Sequence, residues 1–236
     1  MCFSASASFT ASAVLMPLGL YSAHLARTSG RTSYLPLALT PFFFGVQQFI
    51  EGLVWTGIDR GRVEPLTTLA SMGFLFFAYC FWMIWIPWSA WAIARETEST
   101  TLQARLRWVA IIATVLGIGF FLPVLFNPPA VQPAVHSTGR LAYDLSNLRS
   151  VFHNFVNTEP VGELLYWGFI VIPLVALRDK AVRLFGVMIF ASIFLTWFTY
   201  SKTFNSVWCF YCAILSIMVL WIVNRPELRL RSSSES

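Results

Sequence analysis

Charge is scarce in this chain: Asp, Glu, Lys and Arg make up only 11% of its 236 residues. A soluble domain carries about 25%, so a soluble globule of this size is excluded. The alternating apolar and polar positions of a transmembrane β-barrel are missing too, because the apolar runs are continuous. The net charge is +5, but no basic run with interleaved aromatics offers a surface to nucleic acid. Met1–Ser8 lacks a positively charged stretch. No cleavable signal peptide is therefore expected, and the first apolar run is read as a retained helix. The H-E-x-x-H, G-x-S-x-G and P-loop patterns are absent. No Lys falls inside the last apolar run, since Lys202 precedes it, which excludes a retinal site. Of the three histidines, His24 belongs near one membrane face and His136 and His153 beyond the other, which excludes a bis-histidine haem.

What the chain has in quantity is apolar surface: 57% hydrophobic residues, with 22 Phe and 10 Trp. A bilayer-spanning helix takes about 20 apolar residues. The runs predict seven helices, at about residues 8–26, 35–57, 65–94, 107–126, 161–177, 182–200 and 207–224. The expected fold class is an all-α, seven-helix transmembrane domain covering residues 1–236, with no room for a separate soluble domain. Pro87 marks an expected kink late in the third helix. Trp82, Trp85, Trp88 and Trp91 step along that helix and read as an aromatic anchor at the interface. The 1–2, 3–4 and 5–6 loops and the C-terminal tail hold eleven Lys and Arg residues against five in the other loops. The positive-inside rule then puts the N-terminus outside and the C-terminus inside. The expected location is the inner or plasma membrane of the cell, spanned several times. The lipid bilayer is the expected partner, and a homo-oligomer or a place in a larger membrane complex stays open.

The longest loop, residues 127–160, opens with prolines. It continues with Leu141, Leu145, Leu148, Phe152 and Val156 at spacings of 4, 3, 4 and 4. That stripe predicts an amphipathic helix in the outer interface. The segment Tyr143–Val156 is placed to cover a cavity between the helices or simply to seal the bundle. Two short patterns recur. Phe44-Gly45-Val46 and Phe185-Gly186-Val187 each precede a Phe three residues on, and Tyr79-Cys80-Phe81-Trp82 parallels Trp208-Cys209-Phe210-Tyr211. Helices 1–3 and 5–7 as parallel repeats around a linking helix would give the 3+1+3 plan of SWEET-type transporters. The spacing between the paired motifs differs in the two halves, and the proline-glutamine signature of those transporters is absent.

Ionisable residues inside a membrane are functional candidates, because burying charge in hydrocarbon is costly. Glu51 is the clearest one, with Gln47 and Gln48 one turn before it. The same three residues also suit a hydrogen-bonded network between helices. Cys2, Cys209, Cys212 and His153 all fall on the outer side in this topology, as Glu51 does. Cysteine, histidine and carboxylate ligands suit Zn²⁺ or another transition metal. Cys209-x-x-Cys212 also admits thiol–disulfide exchange. Cys80, mid-helix among aromatics, reads as a small core residue.

Three blocks carry a family likeness: Met1-Cys2-Phe3-Ser4-Ala5 with Ala7-Ser8-Phe9; Phe44-Gly45-Val46-Gln47-Gln48 with Glu51-Gly52 and Trp55; and Ser206-Val207-Trp208-Cys209-Phe210 with Ala213 to Ser216. In these the chain resembles an uncharacterised prokaryotic family of polytopic membrane proteins. The resemblance implies a polytopic membrane protein and no particular activity. It directs attention to Cys2, Glu51, Trp55 and Cys209. The family pattern has Ala where this chain has Cys212, which weakens the C-x-x-C reading. The expectation that follows is an outward-facing pocket. Cys2, Glu51, Cys209 and His153 are its candidate metal ligands, and Gln47, Gln48, Trp55 and Trp208 are its candidate ligand contacts. Glu51 is the candidate base should the site be catalytic. A transporter and a membrane thiol oxidoreductase are the alternatives.

Overall fold

A computed structural model describes residues 4–59, 65–128, 131–135, 141–144, 161–200 and 204–225. The helices are α1 (Ala5–Thr28), α2 (Thr40–Asp59), α3 (Pro65–Phe76), α4 (Trp82–Thr97), α5 (Thr100–Phe126), α6 (Val161–Ala176), α7 (Lys180–Tyr200), α8 (Phe204–Ser216) and α9 (Met218–Asn224). A short 3₁₀ turn and the helix Leu35–Ala38 lead into α2. Five helical stretches are long and apolar enough to cross a membrane: Ala5–Thr28, Thr32–Asp59, Pro65–Thr97, Thr100–Phe126 and Lys180–Phe198. Leu164–Ala176 and Tyr211–Asn224 are apolar but shorter.

Small residues decide how α1 meets α2. The buried face of α1 is Ser8, Ser12, Leu15, Gly19, Ser22 and Ala26, a 4-3-4-3-4 spacing that runs straight down one side. With so little side chain in between, the backbones come close. A Cβ on Gly19 would lie 2.2 Å from the Phe42 nitrogen, and one on Gly45 would lie 2.8 Å from the Met16 nitrogen. Ser4 caps the start of α1 by accepting from the Ala7 amide at 3.3 Å. Gly30, at φ +70°, lets the chain turn back after α1, with the Arg31 amide returning to the Ala26 carbonyl at 2.8 Å.

The helices close into a ring. α1 packs on α2, α2 on α3, α4 on α6, α6 on α7, α7 on α8, and α9 back on α1. α5 lies outside the ring against α4. One end of the bundle gathers the α1–α2 turn, the α4–α5 junction, the α6–α7 junction and the end of α9; we call it the basic end. The other is the hairpin end.

Between α3 and α4 the chain takes one wide π-helical turn, Phe77–Phe81. It comes more than a turn before Pro87, the irregularity that proline marked in the sequence. Such a turn leaves a carbonyl outside the regular ladder, and the Tyr166 hydroxyl donates to the carbonyl of Ala78. Gly117 of α5 allows a close approach here, since a Cβ would lie 3.1 Å from the Cys80 carbonyl oxygen.

The α5–α6 connection corrects an expectation. Leu141–Asp144 is not the start of a helix but strand β2, paired antiparallel with β1 (Gln132–Val135), Val135 opposite Leu141. The physical reason lies in the alternation: Leu141 is buried against Val54, Trp55 and Ala70, and Tyr143 stacks on Phe74 at 5.5 Å. Positions i and i+2 face the same way in a strand. The rest of the expected amphipathic helix lies outside the described residues.

Candidate functional site

One stripe of α2 is buried whatever its polarity. Gln47 and Glu51 are 0% exposed and Gln48 is 1% exposed. Phe44 and Trp55 lie on the same stripe, also buried. Burial follows from close packing around the helix: α1 approaches over Gly45 and Gly52, α3 and α8 pack on it elsewhere, and Trp82 of α4 reaches in. Glu51 lies eight residues before the end of α2 at Asp59, or about 12 Å from it at about 1.5 Å per residue. Gln47 lies one turn deeper.

The π turn sets the next partner in place. Directly after it, Trp82 stacks on Phe44, with centroids 3.8 Å apart and planes at 21°. Its indole Nε1 donates to Gln47 Oε1 at 2.7 Å. Gln48 Nε2 donates to Glu51 Oε2 at 2.8 Å. Three buried atoms around this patch have no hydrogen-bond partner among the described residues: Gln48 Oε1, Trp55 Nε1 and Ser8 Oγ. An unmet buried acceptor or donor costs about 1–3 kcal/mol. The patch therefore offers an acceptor, a donor and a hydroxyl in a dry setting, beside a carboxylate. The β1–β2 hairpin packs over this half of α2 through Leu141.

Trp82 differs from its expected place. In the sequence it reads as part of an interfacial anchor, yet it is 3% exposed and lies inside the ring. Further along the ladder, Trp88 donates to Thr114 Oγ1 at 3.0 Å and Trp91 stacks under Arg95.

Of the four expected metal ligands only Glu51 has a described side chain. Cys2 and His153 lie outside them. Cys209 is placed by its backbone near the start of α8, and nothing is described of its side chain. Among the described residues no group of three His, Cys, Asp or Glu could hold a metal ion. Cys80 and Cys212 are both buried thiols. Trp208 is buried and donates to Ser192 Oγ at 3.1 Å.

The two copies of the Phe-Gly-Val pattern face a common cavity. Phe44 of α2 and Phe185 of α7 both line a central cavity of about 20 Å³, together with Thr40, Trp82, Trp208 and Cys212. That volume suits about one water molecule. The glycine after each Phe meets the preceding helix of its own half: Gly45 against Met16 of α1, Gly186 against Leu174 of α6, with a Cβ 2.9 Å from the Leu174 Cβ. In each half a Trp N–H from the third helix then bonds a polar side chain of the second, Trp82 to Gln47 and Trp208 to Ser192. The paired aromatic-Cys-Phe motifs do not align as well, since Trp82 and Trp208 stand at opposite ends of them.

A second polar cluster stands at the basic end. Arg225 Nη2 contacts both oxygens of Asp179, at 2.8 and 2.7 Å, and the Tyr34 hydroxyl donates to Asp179 Oδ2 at 2.6 Å. Asp179 Oδ1 also caps α7, accepting from the Ala181 amide at 2.9 Å. Burial pushes the Asp179 carboxyl up, but the hydrogen bonds from Arg225 and Tyr34 and the Arg225 charge outweigh it. They hold the carboxyl below the usual carboxylate range. Arg31, 6% exposed, donates to the carbonyls of Val223 and Arg225 at 2.6 and 3.1 Å.

The model of a family of unknown function (DUF6629) matches residues 1–233. No curated protein and no solved structure matches the chain.

Proposed function

The chain belongs to the DUF6629 family, a family of unknown function, and from that premise we propose a multi-pass protein of the cell membrane that binds a small polar ligand beside Glu51. In this reading the N-terminus is outside, the basic end is inside and the site opens toward the hairpin end. The observation that carries it is the buried stripe Gln47–Gln48–Glu51. Its neighbours Gln48 Oε1, Trp55 Nε1 and Ser8 Oγ have no partner among the described residues. Five helices apolar enough to cross a bilayer support the membrane location. In hydrocarbon such polar groups are retained where they bind or relay something.

The test is thermal stability of the purified protein against a panel of Na⁺, Ca²⁺, Zn²⁺, amino acids and monosaccharides. A ligand at 100 times its Kd stabilises by about 2.7 kcal/mol. The reading expects at least one compound to raise the melting temperature of the wild type and to leave Glu51→Gln unmoved. A panel that moves neither protein reduces the stripe to a helix-joining network. Elemental analysis of protein purified without chelator decides the narrower form, a Zn²⁺ or other transition-metal site with Cys2, Cys209 and His153. That form requires about one equivalent of metal per chain, lost in Cys209→Ser.

A second reading, a small-molecule carrier with a 3+1+3 plan, is favoured by the matching places of Phe44 and Phe185, Gly45 and Gly186, and the two Trp-to-polar bonds. α5, outside the ring, is the helix that links the halves in this plan.

A further inference from the structure

The two halves of the ring meet at α4–α6, at α2–α8 and along the seam between α1 and the α8–α9 rod, and this last seam is unlike itself from end to end. At the basic end α1 packs on α9. Toward the hairpin end α1 and α8 stand apart around a groove of about 470 Å³, lined by Ala7, Thr10 and Ala11 on one side and Ala213, Ile214 and Ile217 on the other.

Ile217 is also where the rod breaks. The Ile217 amide bonds back only to Ile214, at 3.1 Å, and the Leu220 amide only to Ile217, at 3.1 Å. Two successive i+3 bonds in place of i+4 bonds make a tight turn between α8 and α9. The Ser216 hydroxyl donates to the Ala213 carbonyl at 2.6 Å. The break stands at the lip of the groove.

α9, below the break, is tied down from the other half. Arg31, from the α1–α2 turn, holds the carbonyls of Val223 and Arg225. Arg225 and Tyr34 converge on Asp179 at the head of α7. The closure of the basic end between the halves thus contains a network of charged and polar groups, while among the described residues the opposite part of the same seam is a groove between α1 and α8, with α8 packed on α2 instead.

We propose that the Arg31–Tyr34–Asp179–Arg225 network is a gate at the basic end, coupled through the break at Ile217 to the α1–α8 seam, so that the two ends of the ring open alternately. This rests on the carrier reading. In the state described here the network is made and the seam is parted. In the other state the network is broken and α8 turns about Ile217 onto α1. A ligand that binds the two states unequally shifts their balance, and one that binds them equally does not.

The test uses the full chain in lipid nanodiscs, with Cys2→Ser and Cys209→Ser as background. Spin labels on Thr10→Cys and Ile214→Cys, both exposed on the groove, report the seam by electron-spin distance measurement. In a separate protein Ala181→Cys, buried beside Asp179, reports the basic end through its rate of maleimide modification, read by mass spectrometry of its peptide. Asp179→Asn is expected to speed that modification at least tenfold and to shorten the 10–214 distance. Tyr34→Phe, which keeps the Asp179–Arg225 pair, is expected to move both readouts the same way by less, and it stands in if Asp179→Asn does not fold. Faster modification with an unchanged seam distance overturns the proposal, since the ends are then uncoupled. So does no change in either readout in a protein that still melts cooperatively. The carrier reading fails separately: coupled ends whose distances no compound of the panel alters make a gate without a cargo.

Discussion

Replacing Gly19 by Ala tests the close meeting of α1 and α2 on which the buried stripe depends. The added Cβ would stand 2.2 Å from the Phe42 nitrogen and 2.6 Å from its Cα and Cβ. Two of those three atoms are backbone, so no rotamer change relieves the contact. The helices must part by about 1 Å to restore ordinary packing distances, and a gap of that size forfeits roughly a quarter to a half of each contact's dispersion energy. Overpacking of this kind costs about 1–3 kcal/mol. Against it stands the better helix propensity of Ala, worth up to about 1 kcal/mol. The net expectation is a loss of about 1–2 kcal/mol. Gly73→Ala is the control. Its Cβ would meet only Ile50, at 3.4 and 3.6 Å, so the propensity gain stands unopposed and this protein should melt at or above the wild-type temperature. With Cys2→Ser and Cys209→Ser as background in all three proteins, the remaining Cys80 and Cys212 are buried, and a fluorogenic maleimide reports their exposure on heating. A Gly19→Ala protein as stable as the wild type would refute the argument, and so would equal losses at both positions.

Two further outcomes follow from the polar contacts. Asp179 has a folded pKa below its usual value. Its contribution to stability is therefore complete above the ordinary Asp pKa, about 4, and is lost as pH falls through the folded value. Melting measured between pH 7 and pH 3 should fall more steeply for the wild type than for Asp179→Asn, and parallel curves would refute the assignment. At neutral pH the same substitution breaks a pair with side chains only 13% and 8% exposed, a loss of about 3–5 kcal/mol in a fully buried setting and toward the lower figure here. Tyr166→Phe leaves the Ala78 carbonyl of the π turn without the hydroxyl that meets it, at a cost of about 1–3 kcal/mol. Hydrogen exchange over residues 77–82 should speed up, and unchanged exchange there would show that the tyrosine does not hold the turn.

The helices were legible in the sequence because apolar runs leave the backbone no partner but itself in hydrocarbon. Glu51, Gln47 and Gln48 were legible for the complementary reason, as polar residues in such a run. The hairpin was not. Leu141 and Leu145 satisfy a helical spacing as easily as Leu141 and Tyr143 satisfy a strand, and only contact with Trp55 and Phe74 decides between them. Trp82 reads as one rung of a ladder, because nothing in the local spacing signals the π turn that precedes it, a turn whose Ala78 carbonyl is met from another helix by Tyr166. The basic-end cluster was hidden by counting. Arg31, Arg225 and their neighbours enter an orientation rule as charges, and the rule takes no account of acidic residues such as Asp179. One signal was available, since Asp179 stands immediately before an apolar helix, where a capping carboxylate belongs.

α5 stands outside the ring with most of its surface turned outward, from Trp108, 64% exposed, to Phe126, 74% exposed. Those two rings are about 27 Å apart along the axis, close to the roughly 30 Å of a bilayer's hydrocarbon layer. A helix matched in length to the membrane and bare to lipid takes up hydrophobic mismatch by tilting when the bilayer thins or thickens. The backbone of α5 presses on the rest of the molecule at Gly117, over the Cys80 carbonyl inside the π turn. Where α5 spans the bilayer as proposed, a change in its tilt would bear on the segment that carries Trp82 to Gln47, and the lipid around the protein would then be a variable of the site.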